Sequence, residues 1–196
     1  MILSGVLLFT FLLLDLCFYG VFQMSNNFLQ AVKFTLPWEV GKDRKGNLRE
    51  DGGYTNDPAD PGGETKWGMS KRAHPNLDIK NLTLPEALAI YQREYYDKYK
   101  TFKNSPLDLD SVSTSYAVAV FDTGVNCGVN RCYQWHLTAI KTKDPVKTLL
   151  GLRDARYTNL VAMNPSLQKF YKGWINRLND LKKFCEILKD EASAPS

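Results

Sequence analysis

The sequence predicts a mainly α fold with a small irregular or β-hairpin lobe in its N-terminal third, and three observations carry that prediction. Apolar residues recur at helical spacing before residue 40 and again after residue 83. Between them, residues 40–63 are polar and punctuated by Gly and Pro, which is typical of turns and loops. The composition, 44% hydrophobic and 23% charged, is that of an ordinary globular chain and excludes collagen-like and disordered proteins.

The N-terminal head, residues 1–23, is almost wholly apolar, with no Lys or Arg and a single acid, Asp15. Its length suits a membrane span of about 20 residues, but a carboxylate near the bilayer centre is costly. A cleaved signal peptide would need a positive first segment and a small-residue cleavage site, which the head lacks. Three interpretations stay open: a membrane anchor or signal-arrest segment, an upstream stretch translated ahead of a true start at Met24, and a cleaved signal.

The charge balance is mildly basic, with 25 Lys and Arg against 21 Asp and Glu and a formal net charge of +4. Because the head holds one acid and no base, 25 bases face 20 acids from Met24 onward, a balance of +5. Such a balance favours polyanionic partners, a cell-wall polymer or nucleic acid. No nucleic-acid-binding motif is present, so nucleic acid is not predicted as a partner.

The first helix of the main chain is predicted to begin before Phe28, with Asn26-Asn27 offering an N-cap. Pro37 is expected to end or kink this helix, which places Glu39 at its C-terminal end. Residues 40–54 have no apolar period and predict a hairpin or a long loop, and residues 56–63 predict a rigid, turn-rich loop. The apolar stripe of the helix comprises Phe28, Ala31, Val32 and Leu36.

The second half of the chain is rich in helix signals. Thr83 and Glu86 predict a capping box at the start of a helix that reaches about Tyr99. Small and apolar residues cover nearly every face of residues 112–125, which predicts a buried central helix. Further helices are predicted over residues 130–140, 144–152, 155–163 and 164–188.

Several catalytic mechanisms are excluded by what the sequence lacks. It has two histidines and no H-E-x-x-H, which excludes a helix-borne zinc peptidase, and it has no G-x-S-x-G elbow. The four cysteines form no C-x-x-C, so they predict no metal or redox framework. Cys127 and His136 lack an orienting partner for thiol catalysis. Neither a metal nor an organic cofactor is expected.

What remains is a set of carboxylates around the irregular lobe. Glycoside hydrolysis needs one carboxyl that stays protonated in a partly apolar setting, and a second that supports an oxocarbenium-like centre or activates water. The alternative is that these acids are solvated, and that Asp57 and Asp60 only make local turn bonds. The acids are Glu39, Glu50, Asp51, Asp57, Asp60 and Glu64, with Trp38, Tyr54, Thr65 and Trp67 among them.

One long motif runs from Asp51 to Arg72 and reads D-G-G-Y-T-N-D-P-A-D-P-G-G-E-T-K-W-G-M-S-K-R. It closely resembles the pattern E-G-G-Y-x-N-D-P-x-D-P-G-G-x-T-x-x-G-I-S of glycoside hydrolase family 108, the lysozyme-like N-acetylmuramidases of bacteria and phages. The likeness continues in later segments and covers about residues 28–181. The resemblance implies a lysozyme-like α+β fold, with a catalytic region over residues 24–110 and a helical peptidoglycan-binding part over residues 111–190.

The resemblance departs from the family pattern at the catalytic position. The family's glutamate directly precedes Gly-Gly-Tyr, whereas this chain has Asp51 there, after Glu50. Family members also carry a helix F-x-x-A-x-x-F-x-L-x-x-E that ends on that glutamate, and Phe28 to Glu39 fits this register. An insertion of residues 40–51 would then separate the acid from Gly-Gly-Tyr. We therefore predict Glu39 as the catalytic acid, with Glu50 and then Asp51 as the alternatives.

The resemblance also implies roles for the neighbouring residues. Asp60 or Asp57 would stabilise the cationic centre or position a water molecule, which Thr65 would hold. Packing rather than substrate contact is the alternative for each of the aromatic residues, and burial in the core is the alternative for Asp122. The residues expected to contact substrate are Tyr54, Trp67, Asn126 and Trp174, and Asp122, Arg131 and Arg177 are further candidates.

The predicted function is hydrolysis of the β-1,4 bond between N-acetylmuramic acid and N-acetylglucosamine in peptidoglycan, by a monomer. One alternative is a lytic transglycosylase, which works with a single carboxyl. The other is a non-catalytic peptidoglycan-binding protein, which the altered motif prompts. The protein is expected to be membrane-anchored, with a membrane contact through residues 1–23, or exported to the cell wall or periplasm. If the head is not a signal, it is expected in the cytoplasm until release.

Overall fold

A computed structural model of the chain describes residues 24–43, 45–58, 60 and 62–193. The predictions for the apolar head, residues 1–23, lie outside the described residues. Within those ranges, none of the helices combines the length and the apolarity that a membrane span requires.

The described chain is mainly helical with one two-stranded antiparallel sheet, which confirms the predicted fold class. Two short irregular helices, a π turn at Gln92–Tyr96 and a 3-10 helix at Asp97–Thr101, follow the second α-helix. A further 3-10 turn, Pro165–Leu167, precedes the last α-helix. The elements are α1 Asn26–Val40, β1 Thr65–Lys66, β2 Met69–Ser70, α2 Leu84–Tyr91, α3 Thr114–Cys127, α4 Val129–Ala139, α5 Pro145–Met163 and α6 Gln168–Ser193.

The chain divides into two compact units. The hairpin unit contains Thr35–Glu94 together with residues 24 and 25, and the helical unit contains Asn26–Phe34 and the chain from Tyr95 onward. Helix α1 therefore gives its first residues to the helical unit and its last turns to the hairpin unit. The predicted functional boundary at residue 110 is a separate matter and stays a prediction.

The hairpin unit packs α2 and the sheet around a small apolar core. Thr83 caps α2 with the predicted capping box, since the Glu86 side chain accepts a hydrogen bond from the Thr83 backbone N–H at 2.8 Å. The two strands pair in the register Thr65 with Ser70 and Lys66 with Met69. The buried side chains of this unit include Leu36, Val40, Trp67, Met69, Ile79, Leu82, Leu84, Leu88, Ile90 and Tyr91.

The helical unit is built around α3, which packs against α4, α5 and α6. Every residue of α3 from Ser115 to Gly124 is buried, so the predicted central helix is confirmed. Phe28 of α1 packs edge-on against Tyr96 and Phe121, with ring centroids 5.1 and 5.9 Å away. Its neighbour Asn27 is buried, and its amide donates to the carbonyl of Leu109 at 2.8 Å.

Some element boundaries differ from the sequence prediction. Pro37 does not end α1, because the helix continues to Val40 and the N–H of Gly41 still donates to the Pro37 carbonyl at 3.2 Å. Gly41, with φ of +76°, ends the helix instead, as a left-handed glycine does at a helix C-terminus. The predicted helices 144–152 and 155–163 form the single helix α5, because Arg153 between them is fully buried and continues the inward face.

The strands lie outside the stretch where a hairpin was one of two expectations. A hairpin or a long loop was predicted over residues 40–54, and the described residues there form a loop with an isolated bridge between Lys42 and Leu48. The two-residue turn of the observed hairpin is Trp67-Gly68, and both residues have positive φ, as a type I′ turn requires. Asn-Gly or Asp-Gly is the usual signal for that turn, and Trp-Gly does not carry it. The helix predicted to reach Tyr99 is regular only to Tyr91.

Candidate active site

Glu39 lies in the last turn of α1, at the position that the sequence predicts. It is half-buried and is followed by Val40, which is 5% exposed. Its neighbour Trp38 is 37% exposed, the only residue among α1 positions 35–40 that is classed as exposed. A carboxyl on a regular helix is held more rigidly than one in a loop, which suits a group that must be aimed at a bond.

The chain leaves Glu39 and comes back to it. After Val40, the segment from Lys42 to Leu48 folds back on itself, and the N–H of Asp43 donates to the Asn47 carbonyl at 2.8 Å. The returning Gly53 lies so close to Val40 that a Cβ at residue 53 would be 2.7 Å from the Val40 carbonyl oxygen. The Gly-Gly-Tyr segment therefore lies against Val40, the residue that follows Glu39, so the predicted insertion of residues 40–51 begins and ends at the same place.

The hairpin completes the surroundings of Glu39. The N–H groups of Thr55 and Thr65 each donate to the other residue's carbonyl at 2.9 Å, so the Gly52–Thr55 segment runs beside β1. At the tip of the hairpin, a Cβ on Gly68 would be 3.2 Å from the Cβ of Glu39. The Gly-Gly-Tyr segment and the hairpin tip thus both pack on the last turn of α1, against Val40 and Glu39 respectively.

The two alternative acids stand in a different environment. Glu50 and Asp51 are both exposed. Asp51 accepts two hydrogen bonds from the Arg49 guanidinium, at 2.6 and 2.9 Å, and one from the Gly53 N–H at 3.0 Å. The Arg49 hydrogen bonds, followed by that from Gly53, hold the pKa of Asp51 below its ordinary value. A carboxylate kept ionised in this way is poorly suited to donate a proton.

The second carboxylate of the mechanism was sought at Asp57 and Asp60, and both are exposed. The N–H of Asp60 donates to the Asp57 carbonyl at 2.9 Å, and the Asp60 carboxylate accepts from the Gly62 N–H at 2.7 Å. These are the local turn bonds that the sequence left open as the alternative. Thr65, in β1, donates through its hydroxyl to the Gly63 carbonyl at 3.2 Å.

Tyr54 and Trp67 were expected to contact substrate. Tyr54 is half-buried, and its hydroxyl donates to the Glu64 carboxylate at 2.6 Å, which raises the pKa of Tyr54 above its ordinary value. Trp67 is only 6% exposed, and its indole N–H donates to the Leu82 carbonyl at 3.1 Å. The burial of Trp67 favours packing, the alternative that the sequence also allowed.

In the helical unit, the two residues expected to bind substrate meet at a third. The indole ring of Trp174 stacks on Tyr157, with ring centroids 5.3 Å apart and planes at 25°. The Tyr157 hydroxyl donates to the side-chain oxygen of Asn126. Beyond Trp174, the ring of Phe170 lies 6.1 Å away and is 48% exposed. Asn126 and Trp174, far apart in the sequence, thus belong to one cluster on the helical unit.

Asp122, a further candidate, lies in the core of the helical unit. It is fully buried between Arg153 and Arg177, each with a guanidinium nitrogen 2.7 Å from a carboxylate oxygen. Burial raises the pKa of Asp122, but the charges of the two arginines outweigh burial and hold it below its ordinary value. These contacts favour the structural alternative for Asp122 and for Arg177. Arg131 is exposed and donates to the Cys127 carbonyl at 3.3 Å.

Sequence reasoning missed three residues that the geometry brings to these sites: Gly68 and Tyr91 beside Glu39, and Tyr157 beside Asn126. Gly68 lies inside the long motif from Asp51 to Arg72, and its place there was the available signal. Tyr91 and Tyr157 sit on ordinary helical stretches with no motif around them. Among the described residues, no group of three His, Cys, Asp or Glu side chains is arranged to hold a metal ion.

Comparison with protein families gives one match: residues 46–128 match the family model described as Glycosyl hydrolase 108. The similarity supports a glycoside hydrolase, and the mainly helical structure with its small sheet is consistent with a lysozyme-like fold. The matched range begins after α1, so it contains Glu50 and Asp51 but not Glu39. Comparison with curated proteins and with solved structures gave no significant match.

Proposed function

We propose that the protein is a peptidoglycan hydrolase that cleaves the β-1,4 bond between N-acetylmuramic acid and N-acetylglucosamine, with Glu39 as its general acid. The observation that carries the assignment of Glu39 is the return of the chain to the end of α1 after the predicted insertion, residues 40–51. Gly53 packs on Val40, and Gly68 packs on Glu39 itself. The glutamate at the end of α1 therefore has the neighbours that the Gly-Gly-Tyr pattern would give it without an insertion.

The chemical step follows from that role. Glu39 donates its proton to the glycosidic oxygen, and the bond from that oxygen to C1 of N-acetylmuramic acid breaks. N-acetylglucosamine leaves with a free 4-hydroxyl, and a water molecule supplies the hydroxyl that C1 receives. Asp60 or Asp57 steadies the positive charge that develops at C1 or positions that water, with Thr65 beside it. No metal or organic cofactor takes part.

The helical unit is proposed to bind the wall. It holds 16 of the 25 Lys and Arg residues but only 10 of the 21 acids, so the basic balance of the chain belongs to it. Such a balance favours an anionic polymer. The cluster of Asn126, Tyr157 and Trp174 adds an aromatic and amide surface, which suits the face and the acetamido groups of a sugar. Tyr54 remains the proposed substrate contact in the hairpin unit, because the burial of Trp67 favours packing.

The test is digestion of purified peptidoglycan by the full chain, with the soluble products identified by mass spectrometry. We expect fragments with N-acetylmuramic acid at the new reducing end. Glu39→Gln should lower the rate by about 10²- to 10⁴-fold, the usual worth of a general acid. Glu50→Gln is the matched control, because it makes the same change at an exposed glutamate inside the family match. The rate of Glu50→Gln should stay within about twofold of the parent, a far smaller change than the loss expected for Glu39→Gln.

Each other outcome assigns a different function. Loss of activity in Glu50→Gln with an active Glu39→Gln would move the acid to residue 50. Anhydro sugars at the product ends, unaffected by Asp57→Ala and Asp60→Ala, would identify a lytic transglycosylase. An inert parent that sediments with insoluble peptidoglycan would identify a binding protein without catalysis.

A further inference from the structure

The tip of the hairpin has an unusual backbone. Trp67 has φ of +53° and Gly68 has φ of +77°. Trp67 is the one non-glycine residue with a positive φ in the described part of the chain. A bulky side chain in this left-handed region costs about 1–3 kcal/mol, so the conformation persists only where its surroundings enforce it.

Three hydrogen bonds enforce it at Trp67, and each uses a different group. Its backbone N–H donates to the Gly52 carbonyl at 2.7 Å, and its indole N–H donates to the Leu82 carbonyl at 3.1 Å. Its own carbonyl accepts from the Tyr91 hydroxyl at 3.1 Å. The indole ring also fills the space beside Gly52, where a Cβ would be 2.5 Å from the ring. The peptide group between Trp67 and Gly68 is therefore held in place by the hydrogen bond from the Tyr91 hydroxyl to its carbonyl oxygen.

The same Tyr91 hydroxyl also touches the next residue. A Cβ on Gly68 would lie 2.3 Å from the Tyr91 hydroxyl oxygen and 3.2 Å from the Cβ of Glu39. Because both distances start from the Cβ built on Gly68, the Tyr91 hydroxyl oxygen and the Glu39 Cβ both lie next to Gly68. Tyr91 is 3% exposed, and its ring lies inside the hairpin unit rather than on a surface that substrate could reach. Tyr91 and Glu39 therefore both border the Trp67–Gly68 turn.

We propose that Tyr91 is a positioning residue for the proposed acid Glu39. Its hydroxyl holds the Trp67–Gly68 turn in its left-handed form. Gly68 packs against Glu39, so this turn fixes the position of Glu39 at the end of α1. The inference rests on the proposed function of Glu39. Catalysis by a general acid is sensitive to such support, since a displacement of about 1 Å can cost about 10²-fold in rate.

The experiment compares Tyr91→Phe with Tyr99→Phe in the full chain. Tyr99 is the matched control because its buried hydroxyl likewise donates to a backbone carbonyl, that of Val120 at 3.3 Å, in the helical unit. Each variant removes one buried hydroxyl and keeps the ring. The measurements are kcat and KM on peptidoglycan, the pH–rate profile and the thermal midpoint. The ¹³C shift of the Glu39 carboxyl carbon is followed by NMR, with Glu39→Gln providing its assignment.

We expect Tyr91→Phe to lower kcat by about 10- to 100-fold with KM nearly unchanged, to displace the alkaline limb of the pH–rate profile, where a general acid loses its proton, and to shift the Glu39 carboxyl signal. Tyr99→Phe should lose similar thermal stability and change none of these. Equal effects of the two variants, or an unchanged Glu39 signal in Tyr91→Phe, would overturn the positioning role. An inert parent refutes the proposed function, and the NMR shift still decides whether Tyr91 sets the environment of Glu39.

Discussion

Among the described residues, each unit holds one contact of the same kind between a tyrosine hydroxyl and a glycine. In the hairpin unit, a Cβ on Gly68 would lie 2.3 Å from the Tyr91 hydroxyl oxygen, and in the helical unit a Cβ on Gly124 would lie 2.3 Å from that of Tyr99. Each hydroxyl donates to a backbone carbonyl, at 3.1 and 3.3 Å. Both glycines are therefore required by the close approach of a buried hydroxyl.

The two contacts differ in what lies on the other side of the glycine. Gly124 is an interior residue of α3, surrounded by the packed helices of its unit. Gly68 is at a turn with φ of +77° and touches the side chain of Glu39. Local packing of one kind thus stabilises a core in one unit and borders a candidate catalytic group in the other. A Cβ added at either glycine should therefore lower the stability of its unit, but only the Cβ at Gly68 should also lower catalytic activity.

The largest expected effect tests the same contrast with charges. Asp122→Asn removes the carboxylate that both Arg153 and Arg177 contact, and takes its negative charge away from the two buried guanidinium groups. Breaking such a pair costs about 3–5 kcal/mol, so the unfolding free energy should fall by about that much in urea titrations. The exposed pair of Asp51 and Arg49 is the control: Asp51→Asn should lie within the error of the measurement. Similar losses in both variants would contradict the contrast between the units.

The Asp122 cluster also sets a pH dependence. Because the folded pKa of Asp122 is below its ordinary value of 3.8, the unfolded chain binds the proton more readily. The stability from this group is therefore present above pH 3.8 and is lost as the pH falls below it. Asp122→Asn should show a flatter decline in that acid range than the parent, as followed by urea unfolding at several pH values.

The next largest effect concerns the two glycines. Gly124→Ala should lower the unfolding free energy by about 1–3 kcal/mol through overpacking, and Gly68→Ala by about 1–2 kcal/mol more because of its left-handed backbone. The folded fraction of Gly124→Ala should keep its activity on peptidoglycan, whereas that of Gly68→Ala should lose it because Glu39 is displaced. Gly151→Ala is the control, since no other atom lies within 4 Å of its added Cβ. Full activity in folded Gly68→Ala would break the comparison.

The smallest expected effect is the difference in how far a Tyr→Phe substitution restores the stability that each Gly→Ala substitution removes. Tyr99→Phe removes the atom that Gly124→Ala would strike, and the next ring atom lies at 3.4 Å, so the double variant should recover most of the lost stability. Tyr91→Phe should rescue Gly68→Ala only in part, because the 3.2 Å approach to Glu39 and the positive φ remain. Double-mutant cycles should give coupling of about 0.5–3 kcal/mol in each pair. Equal recovery in both would show that the turn adds no strain of its own.

Local signals predicted much of this structure. The capping box at Thr83 and the buried helix α3 follow from patterns within a few residues, and Glu39 lies at the helix end that the register indicated. The conformation of Trp67 could not be predicted, because its partners Gly52, Leu82 and Tyr91 come from three other segments. Tertiary hydrogen bonds there override the preference of a tryptophan for negative φ.

Other misses have the same origin. The break expected near Arg153 does not occur, because a charge that appears out of place on a core face is paired with Asp122 from another helix. Tyr157 was missed because only its contacts with Trp174 and Asn126 distinguish it from any helical tyrosine. Both cases depend on contacts between residues far apart in the chain, which cannot be inferred from a single sequence.

The excursion between Val40 and Gly53 has a consequence for how such a protein can change. Its two ends, Val40 and Gly53, are in contact, so lengthening the loop between them need not move either end. A reporter peptide or an affinity tag can therefore be inserted near Gly46, whose added Cβ would meet no atom within 4 Å. Doubling a loop's length costs only about 0.6 kcal/mol of closure entropy. Under the proposed assignment of Glu39, a search that fixes the spacing between the acid and Gly-Gly-Tyr would align Asp51 with the catalytic position instead.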